Sequence, residues 1–406
     1  MKTIVKDTRN AIRIGVTCFL AYLSCYLGKN LLSAMMPQLL ESGVFDDISL
    51  GRMASVFMLT YGAGQLINGV IGNRIRGRYM IAVGLLFPGI LMFVFPHCTA
   101  ATGVILWGVC GFFSSMLWGP ISRMIGENTK PAAGEILMTL MTVASSLGSL
   151  GTQALAVVGG ITGKYIIAFY ISGSLLCLIS LSLFLYTLHL ERIGVVQSNC
   201  RKENKHETNG SRGLAFLSWG FVFMLILTML NGVVRNAVSF WIPTFFVQYL
   251  GFSTELAAGV MMILPFVNIA GPFFALWLMR VTKRDEIQVC LWLFLLSVPL
   301  FAVLFWCRGA FSFLSVAALF LASAAMMGVC NLVFSVYVLR YRDTGKLSGI
   351  SGFFDFSSYI SASAGSLLFT ELMAGNNWNG LIFGWVLIGV LGALFAFFSS
   401  KCNRKI

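Results

Sequence analysis

The sequence predicts an all-α integral membrane protein with twelve transmembrane helices in two pseudo-symmetric six-helix bundles, and three observations carry that reading. Hydrophobic residues make up 58% of the chain, charged residues only 11%, and the mean hydropathy is +0.85, whereas a soluble domain carries about 25% charged residues. The apolar residues gather in runs of roughly 20, the length that crosses ~30 Å of hydrocarbon at ~1.5 Å per helical residue. The ~10-residue alternating segments of a membrane barrel do not occur. Finally, the polar stretch from Glu191 to Gly213 splits the runs into six before it and six after it.

In chain order the spans read as residues 12–38, 49–72, 79–97, 101–124, 132–158, 165–189, 214–249, 255–279, 286–306, 310–339, 347–374 and 377–399. The first run is too long for a signal peptide and lacks a small-residue cleavage site, so it counts as a span. The chain then divides into an N-terminal bundle (1–190), a linker (191–213) and a C-terminal bundle (214–406). The linker is charged and rich in Asn, a composition that cannot build a core of its own.

A net charge of +13 raises the question of a nucleic-acid partner, and the distribution of the charge answers it. An even number of spans puts both termini on one side of the membrane. Lys2, Lys6, Arg9 and Arg13 fall there, as do Arg74, Arg76 and Arg78, the linker cations, Arg280, Lys283 and Arg284, and the C-terminal Lys401 and Arg404. The opposite side holds Arg52, Lys164 and Arg308. Such asymmetry is the positive-inside pattern; it places both termini in the cytoplasm of a plasma or inner membrane and calls for no polyanion.

Ten cysteines and three histidines show no metal-ligand spacing. The nearest approach to a phosphate-binding loop, Gly160-Ile-Thr-Gly163-Lys164, has the wrong spacing and runs into Tyr165. No cofactor, metal or ATP-driven step is expected, and the chain reads as no enzyme.

Three charges lie inside predicted spans: Lys29, Arg235 and Asp355. Each costs about 2.5–3.5 kcal/mol at a helix centre on insertion scales, so pairing or a watery cavity must offset them. Asp355 paired with Lys29 or Arg235 is one solution; a positive charge left over for an anionic ligand is the other. On the first span Tyr22, Tyr26, Lys29 and Ser33 share one helical face, and on the seventh Asn231, Arg235 and Ser239 do so. Such stripes line cavities or bond neighbouring helices. The fifth and eleventh spans carry small residues, Ala144-Ser-Ser-Leu-Gly148 and Ser348-Gly349-Ile-Ser-Gly352, suited to close packing; Ser145 and Ser146 are the candidates there for lining a cavity.

The two halves also match locally. Lys29-Asn30, Ser33 and Pro37 recur at one constant offset as Arg235-Asn236, Ser239 and Pro243. With the six-plus-six count, the match indicates parallel repeats about an axis along the membrane normal.

The loop Gly69-Val-Ile-Gly72-Asn73-Arg74-Ile-Arg76-Gly77-Arg78 resembles the G-x-x-x-D-R-x-x-x-R loop of the major facilitator superfamily, with Asn73 in place of the usual acid. By that resemblance Gly69, Asn73, Arg74, Arg78 and Arg123 form a conformational latch. Within the superfamily the chain resembles the organophosphate:phosphate antiporters, a group that includes glycerol-3-phosphate and hexose-6-phosphate transporters. The similar stretches are Tyr22 to Pro37, Tyr61-Gly62 into Gly69, Trp118 to Arg123, Arg235 to Pro243 and Ser348 to Gly352. The resemblance implies a phosphate clamp of two arginines, with Arg235 at the second position and Lys29 at the first, and with Tyr22, Tyr26 and Tyr61 beside them. Family cations appear here as Ser145 and Gln65, and Asp355 stands where a small residue is usual.

The function expected is transport of a small organic anion such as a phosphorylated sugar or polyol, by exchange for phosphate or by symport, by a functional monomer in the bilayer through alternating access. The substrate-binding candidates are Lys29, Arg235, Tyr22, Tyr26, Tyr61, Ser145, Asn231 and Asn236, with Asp355 as coupling group or ion-pair partner. Two alternatives stay open: a proton-driven exporter of hydrophobic or cationic compounds, and a transporter-like membrane sensor.

Overall fold

The computed structural model describes residues 2–197, 218–306, 312–374 and 377–403. The linker beyond Gln197, with Cys200, and the side chains of Ser239 and Pro243 lie outside the described residues. Among the described residues the elements are helical throughout: α1 (Lys2–Lys29), α2 (Leu31–Glu41), α3 (Asp47–Gly72), α4 (Gly77–Val94), α5 (Ala100–Ser114), α6 (Trp118–Asn128), α7 (Pro131–Thr162) and α8 (Tyr165–Arg192). They continue as α9 (Trp219–Thr244), α10 (Thr254–Met261), α11 (Leu264–Thr282), α12 (Glu286–Val303), α13 (Ser312–Asn331), α14 (Leu347–Ala374) and α15 (Trp378–Asn403). Among the described residues eleven stretches are long and apolar enough to cross a membrane. The twelfth, α14, has the length, at 28 residues, but its serines and Asp355 lower its hydropathy.

Several spans are composite. The first bends where α1 passes into α2 at Asn30, with φ −95° and ψ 0°. Its ladder continues across the bend, since Asn30 N–H donates to the Tyr26 carbonyl (3.2 Å) and Ala34 N–H to the Asn30 carbonyl (3.1 Å). Pro37 then removes one donor inside α2. The fourth span breaks between α5 and α6, and the Asn68 side-chain amide covers the gap by donating to the Phe112 carbonyl (3.2 Å) and the Ser115 hydroxyl (2.7 Å). The seventh span ends in a π-helical turn, Phe245–Tyr249, and the tenth passes through another, Leu332–Tyr337. Turns of this kind interrupt helices at local irregularities and are frequent at functional sites.

The chain falls into two compact units. The first comprises Met1–Asn204 with Val338–Phe356; the second comprises Lys205–Tyr337 with Ser357–Ile406. The start of α14 thus belongs with the first unit and the remainder of that helix with the second.

In the first unit the main pairings are α3 on α5, α4 on α8 and α1 on α7. The α4–α8 pair approaches through Gly89 and Gly173: a Cβ on Gly173 would lie 2.8 Å from the Gly89 carbonyl oxygen. Only small residues let backbones come so close, which is how helices associate where lipid competes equally for apolar side chains. In the second unit α12 packs on α15, α11 on α13 and α9 on α15. Its core is aromatic: Phe294, Phe301 and Trp385 are fully buried, with the Phe301 and Trp385 rings 5.6 Å apart.

Candidate functional site

In the first unit Lys29 lies half-buried at the last residue of α1. Its Nζ lies 3.7 Å above the centre of the Tyr61 ring and 5.1 Å from that of Tyr26. An ammonium over an aromatic face gains about 0.5–2 kcal/mol, most where water is excluded. The rings therefore offset part of the ~2.5–3.5 kcal/mol that a lysine costs inside a membrane. Their positions are themselves fixed. Tyr61 is buried and stacks on Phe57 one helical turn earlier, 5.9 Å away at 12°, and Phe57 meets Trp107 edge-on at 5.8 Å. Tyr26 is braced by Tyr22 (5.1 Å), which packs on Trp118 (5.3 Å). Four helices, α1, α3, α5 and α6, thus hold one aromatic cluster around one cation.

The bend after Lys29 is fastened to α7. The Asn30 amide donates to the Ser149 hydroxyl (2.8 Å), which donates to the Ser145 carbonyl (2.9 Å). A hydroxyl that both accepts and donates polarises along the chain and stiffens it. A Cβ on Gly148 would sit 2.8 Å from the Tyr26 Cβ, so α7 presses directly on the turn that carries the cage. The hydroxyl of Ser145 is half-buried and donates to the Thr142 carbonyl of its own helix (2.8 Å). One turn beyond Tyr61, Gln65 is buried with its amide nitrogen lacking a hydrogen-bond partner, a costly state that calls for a cause.

In the second unit Arg235 is half-exposed on α9. Asn231, one turn earlier, is buried and donates to the Met326 carbonyl on α13 (2.9 Å). Asn236 donates to the Gly232 carbonyl within α9 (2.9 Å). A Cβ on Gly232 would lie 2.6 Å from the Ser358 carbonyl oxygen, and the Ser361 hydroxyl donates to the Met229 carbonyl (2.9 Å), so α14 grips α9 next to Arg235. Asp355 is half-exposed and belongs to the part of α14 in the first unit.

The loop from Gly69 to Arg78 has partners for most of its polar members. The Asn73 side-chain oxygen accepts from the N–H of Gly349 (3.1 Å), the third residue of α14. An asparagine at the end of α3 thereby satisfies one of the donors left open at the start of a helix far away in sequence. Gly69 is where the backbones meet: a Cβ there would lie 3.0 Å from the Ser348 carbonyl oxygen and 3.1 Å from Gly352 Cα. Arg123 reaches across from α6, donating to the Gly72 (2.8 Å) and Asn73 (3.1 Å) carbonyls while its Nε binds Glu127 (3.0 Å). Arg78 pairs with Glu191 at the end of α8, and both side chains are buried. Arg76 lies 4.0 Å from the same carboxylate. Arg74 is exposed.

The structure thus brings Lys29, Tyr22, Tyr26 and Tyr61 together in one unit, and Arg235, Asn231 and Asn236 along one helix of the other. Phe57, Trp107 and Trp118 in the cage, and Glu191 and Glu127 beneath the loop, were not singled out from sequence. Glu191 carries a signal in hindsight, being an acid among arginines where a span ends.

A sequence profile described as Major Facilitator Superfamily matches residues 18–366. A probable hexose phosphate transport protein of Chlamydia muridarum is 23% identical, across 95% of this chain and 90% of its own length. The glycerol-3-phosphate transporter of Bacillus subtilis is 22% identical, across 94% of this chain and 89% of its own. The membrane sensor protein UhpC of Escherichia coli is 30% identical over 26% of this chain and 24% of its own length. Among solved structures, the E. coli fucose:proton symporter FucP superposes with a TM-score of 0.71 at 15% identity, covering 96% of this chain and 98% of that one.

Proposed function

The chain belongs to the major facilitator superfamily and is a membrane transporter rather than an enzyme; from that premise we propose that its cargo is a small phosphorylated organic anion, with Lys29 and Arg235 as the cations that recognise it. The observation that carries the proposal is the ammonium of Lys29 held over tyrosine rings inside a span. Aromatic faces stabilise a cation without neutralising it. An arginine at the repeat-equivalent position adds a planar fork that fits phosphate or carboxylate oxygens two at a time. The names of full-length relatives, a hexose phosphate and a glycerol-3-phosphate transporter, support phosphate as the anionic group. Gln65, one turn from Tyr61, offers a further donor to the bound anion.

Transport proceeds by exchange for phosphate or by symport, with binding shifting the population between inward-open and outward-open states. The functional halves are 1–190 and 214–406, joined by the linker 191–213, in a monomer whose termini both face the cytoplasm of a plasma or inner membrane. Asp355 sets the coupling, and the loop from Gly69 to Arg78 with Arg123 latches one state. The similarity to a membrane sensor protein favours one second reading, in which the same site binds ligand and signals without net transport.

Proteoliposomes containing the purified chain separate these readings. Labelled sugar phosphate should accumulate, and faster when unlabelled sugar phosphate or phosphate is loaded inside. Saturable binding without flux would establish the sensor. Flux of cationic or hydrophobic compounds that follows a proton gradient would establish an exporter instead.

A further inference from the structure

At the rim of the first unit, away from the tyrosine cage, lies a cleft of about 590 Å³, within the range of small-molecule sites. Its origin is geometric. α1 and α7 touch where Gly15 faces Leu137, a contact so tight that a Cβ on Gly15 would collide with the leucine side chain. The cleft opens between the first turns of the two helices. The gap is lined by Ile12 on one side and Ile136 and Leu137 on the other, with Thr8 and Lys130 at its mouth. The floor is built: Gln197 N–H donates to the Asn128 side-chain oxygen (2.7 Å), and Val196 is buried beneath.

The cleft sits at the level where a bilayer changes from acyl chains to headgroups, because the spans Thr8–Glu41 and Pro131–Thr162 begin there and Ala100–Asn128 ends there. Its polar mouth and apolar wall are segregated accordingly. Lys130 is exposed and precedes Pro131 without any side-chain cap, so the first N–H groups of α7 point outward with the positive end of the helix dipole. Among the described residues of the wall the carboxylate is Glu127, held by Arg123 at 3.0 Å. From the cleft an apolar track leads along α1 into the membrane: Ile12, Val16 and Leu20, one per turn, are 58%, 51% and 41% exposed.

We infer that this cleft binds an anionic phospholipid, with the phosphate at Lys130 and the start of α7 and one acyl chain along Ile12, Val16 and Leu20. A cation at the membrane surface adds about 1 kcal/mol to its affinity for anionic lipid, so losing Lys130 should weaken binding about fivefold.

The test is the melting temperature of the purified full chain in detergent, titrated with phosphatidylglycerol, phosphatidylcholine or inorganic phosphate. Phosphatidylglycerol should stabilise the wild type more than phosphatidylcholine does. Lys130→Gln should need about fivefold more of it for the same shift, and Ala133→Trp, which fills the cleft, should lose the difference between the lipids. Arg284→Gln, an exposed cation of the other unit, should keep the wild-type response, and inorganic phosphate should act alike on all four chains. Equal stabilisation by both lipids, or an equal loss in Arg284→Gln, overturns the site. An effect of inorganic phosphate that Lys130→Gln removes makes it a soluble-anion site and overturns the lipid assignment.

Discussion

At the scale of residues, the first cation of the site is held by tyrosines, and this is measurable as a coupling. A double-mutant cycle of Lys29→Met with Tyr61→Leu should return about 0.5–2 kcal/mol in unfolding free energy, while Tyr61→Phe keeps the ring face and should stay close to wild type. A coupling near zero would mean that the ring carries none of the charge. Asp355 makes a different prediction. If it carries the coupling proton, Asp355→Asn abolishes gradient-driven accumulation and leaves counterflow exchange intact. Normal driven uptake in that variant would remove Asp355 from the mechanism. Lys29, Arg235 and Asp355 were legible in the sequence because charge inside an apolar run is conspicuous. The resemblance put Tyr22, Tyr26 and Tyr61 beside the cation, but Phe57, Trp107 and Trp118 behind them were not legible, because they sit on three different helices and hydropathy does not say which helices meet.

At the scale of elements, the interlocks between helices decide what can be removed. Arg78 at the start of α4 and Glu191 at the end of α8 form a buried ion pair. Such pairs add little net stability, yet removing one partner strands the other and costs about 3–5 kcal/mol. Arg78→Ala should therefore lower stability by that amount in a denaturant or thermal assay, and adding Glu191→Gln should restore most of it; no recovery in the double variant would mean that Arg78 acts through packing alone. The Asn73 cap on α14 needs no charge, since a neutral amide oxygen serves as well as a carboxylate in accepting from Gly349 N–H. The replacement of the customary acid is thus accommodated locally. The spans were legible because each needs a long apolar run. The bend at Asn30 and the two π-helical turns were not, because hydropathy marks where an apolar run lies and not where its backbone changes geometry. Gly69 was recognisable as the first residue of the loop motif and Ser348 to Gly352 as a packing stretch, but that they pack on each other is information neither stretch contains alone.

At the scale of the whole molecule, the chain is a multi-pass transporter of the major facilitator superfamily, and the positive-inside rule applied to its lysines and arginines predicts that both termini face the cytoplasm. In intact cells Cys98 should react with a membrane-impermeant thiol reagent from outside. A chain carrying Cys98→Ser and Cys307→Ser should become labelled at Cys200 only after permeabilisation. Labelling of Cys200 from outside would reverse the orientation or change the number of spans. The central claim, that Lys29 and Arg235 recognise a phosphorylated anion, is tested most directly by ligand-induced thermal stabilisation of the purified protein across sugar phosphates, sugar acids, neutral sugars and cationic dyes. Charge-assisted hydrogen bonds contribute about 1.5–3 kcal/mol each, so Arg235→Ala should weaken the best sugar phosphate by about 10-fold to more than 100-fold. Arg235→Lys should also bind poorly, because the charge stays while the fork is lost, and Lys29→Arg should tighten phosphates relative to carboxylates. Wild-type affinity in Arg235→Ala, or binding confined to neutral or cationic compounds, would contradict the account.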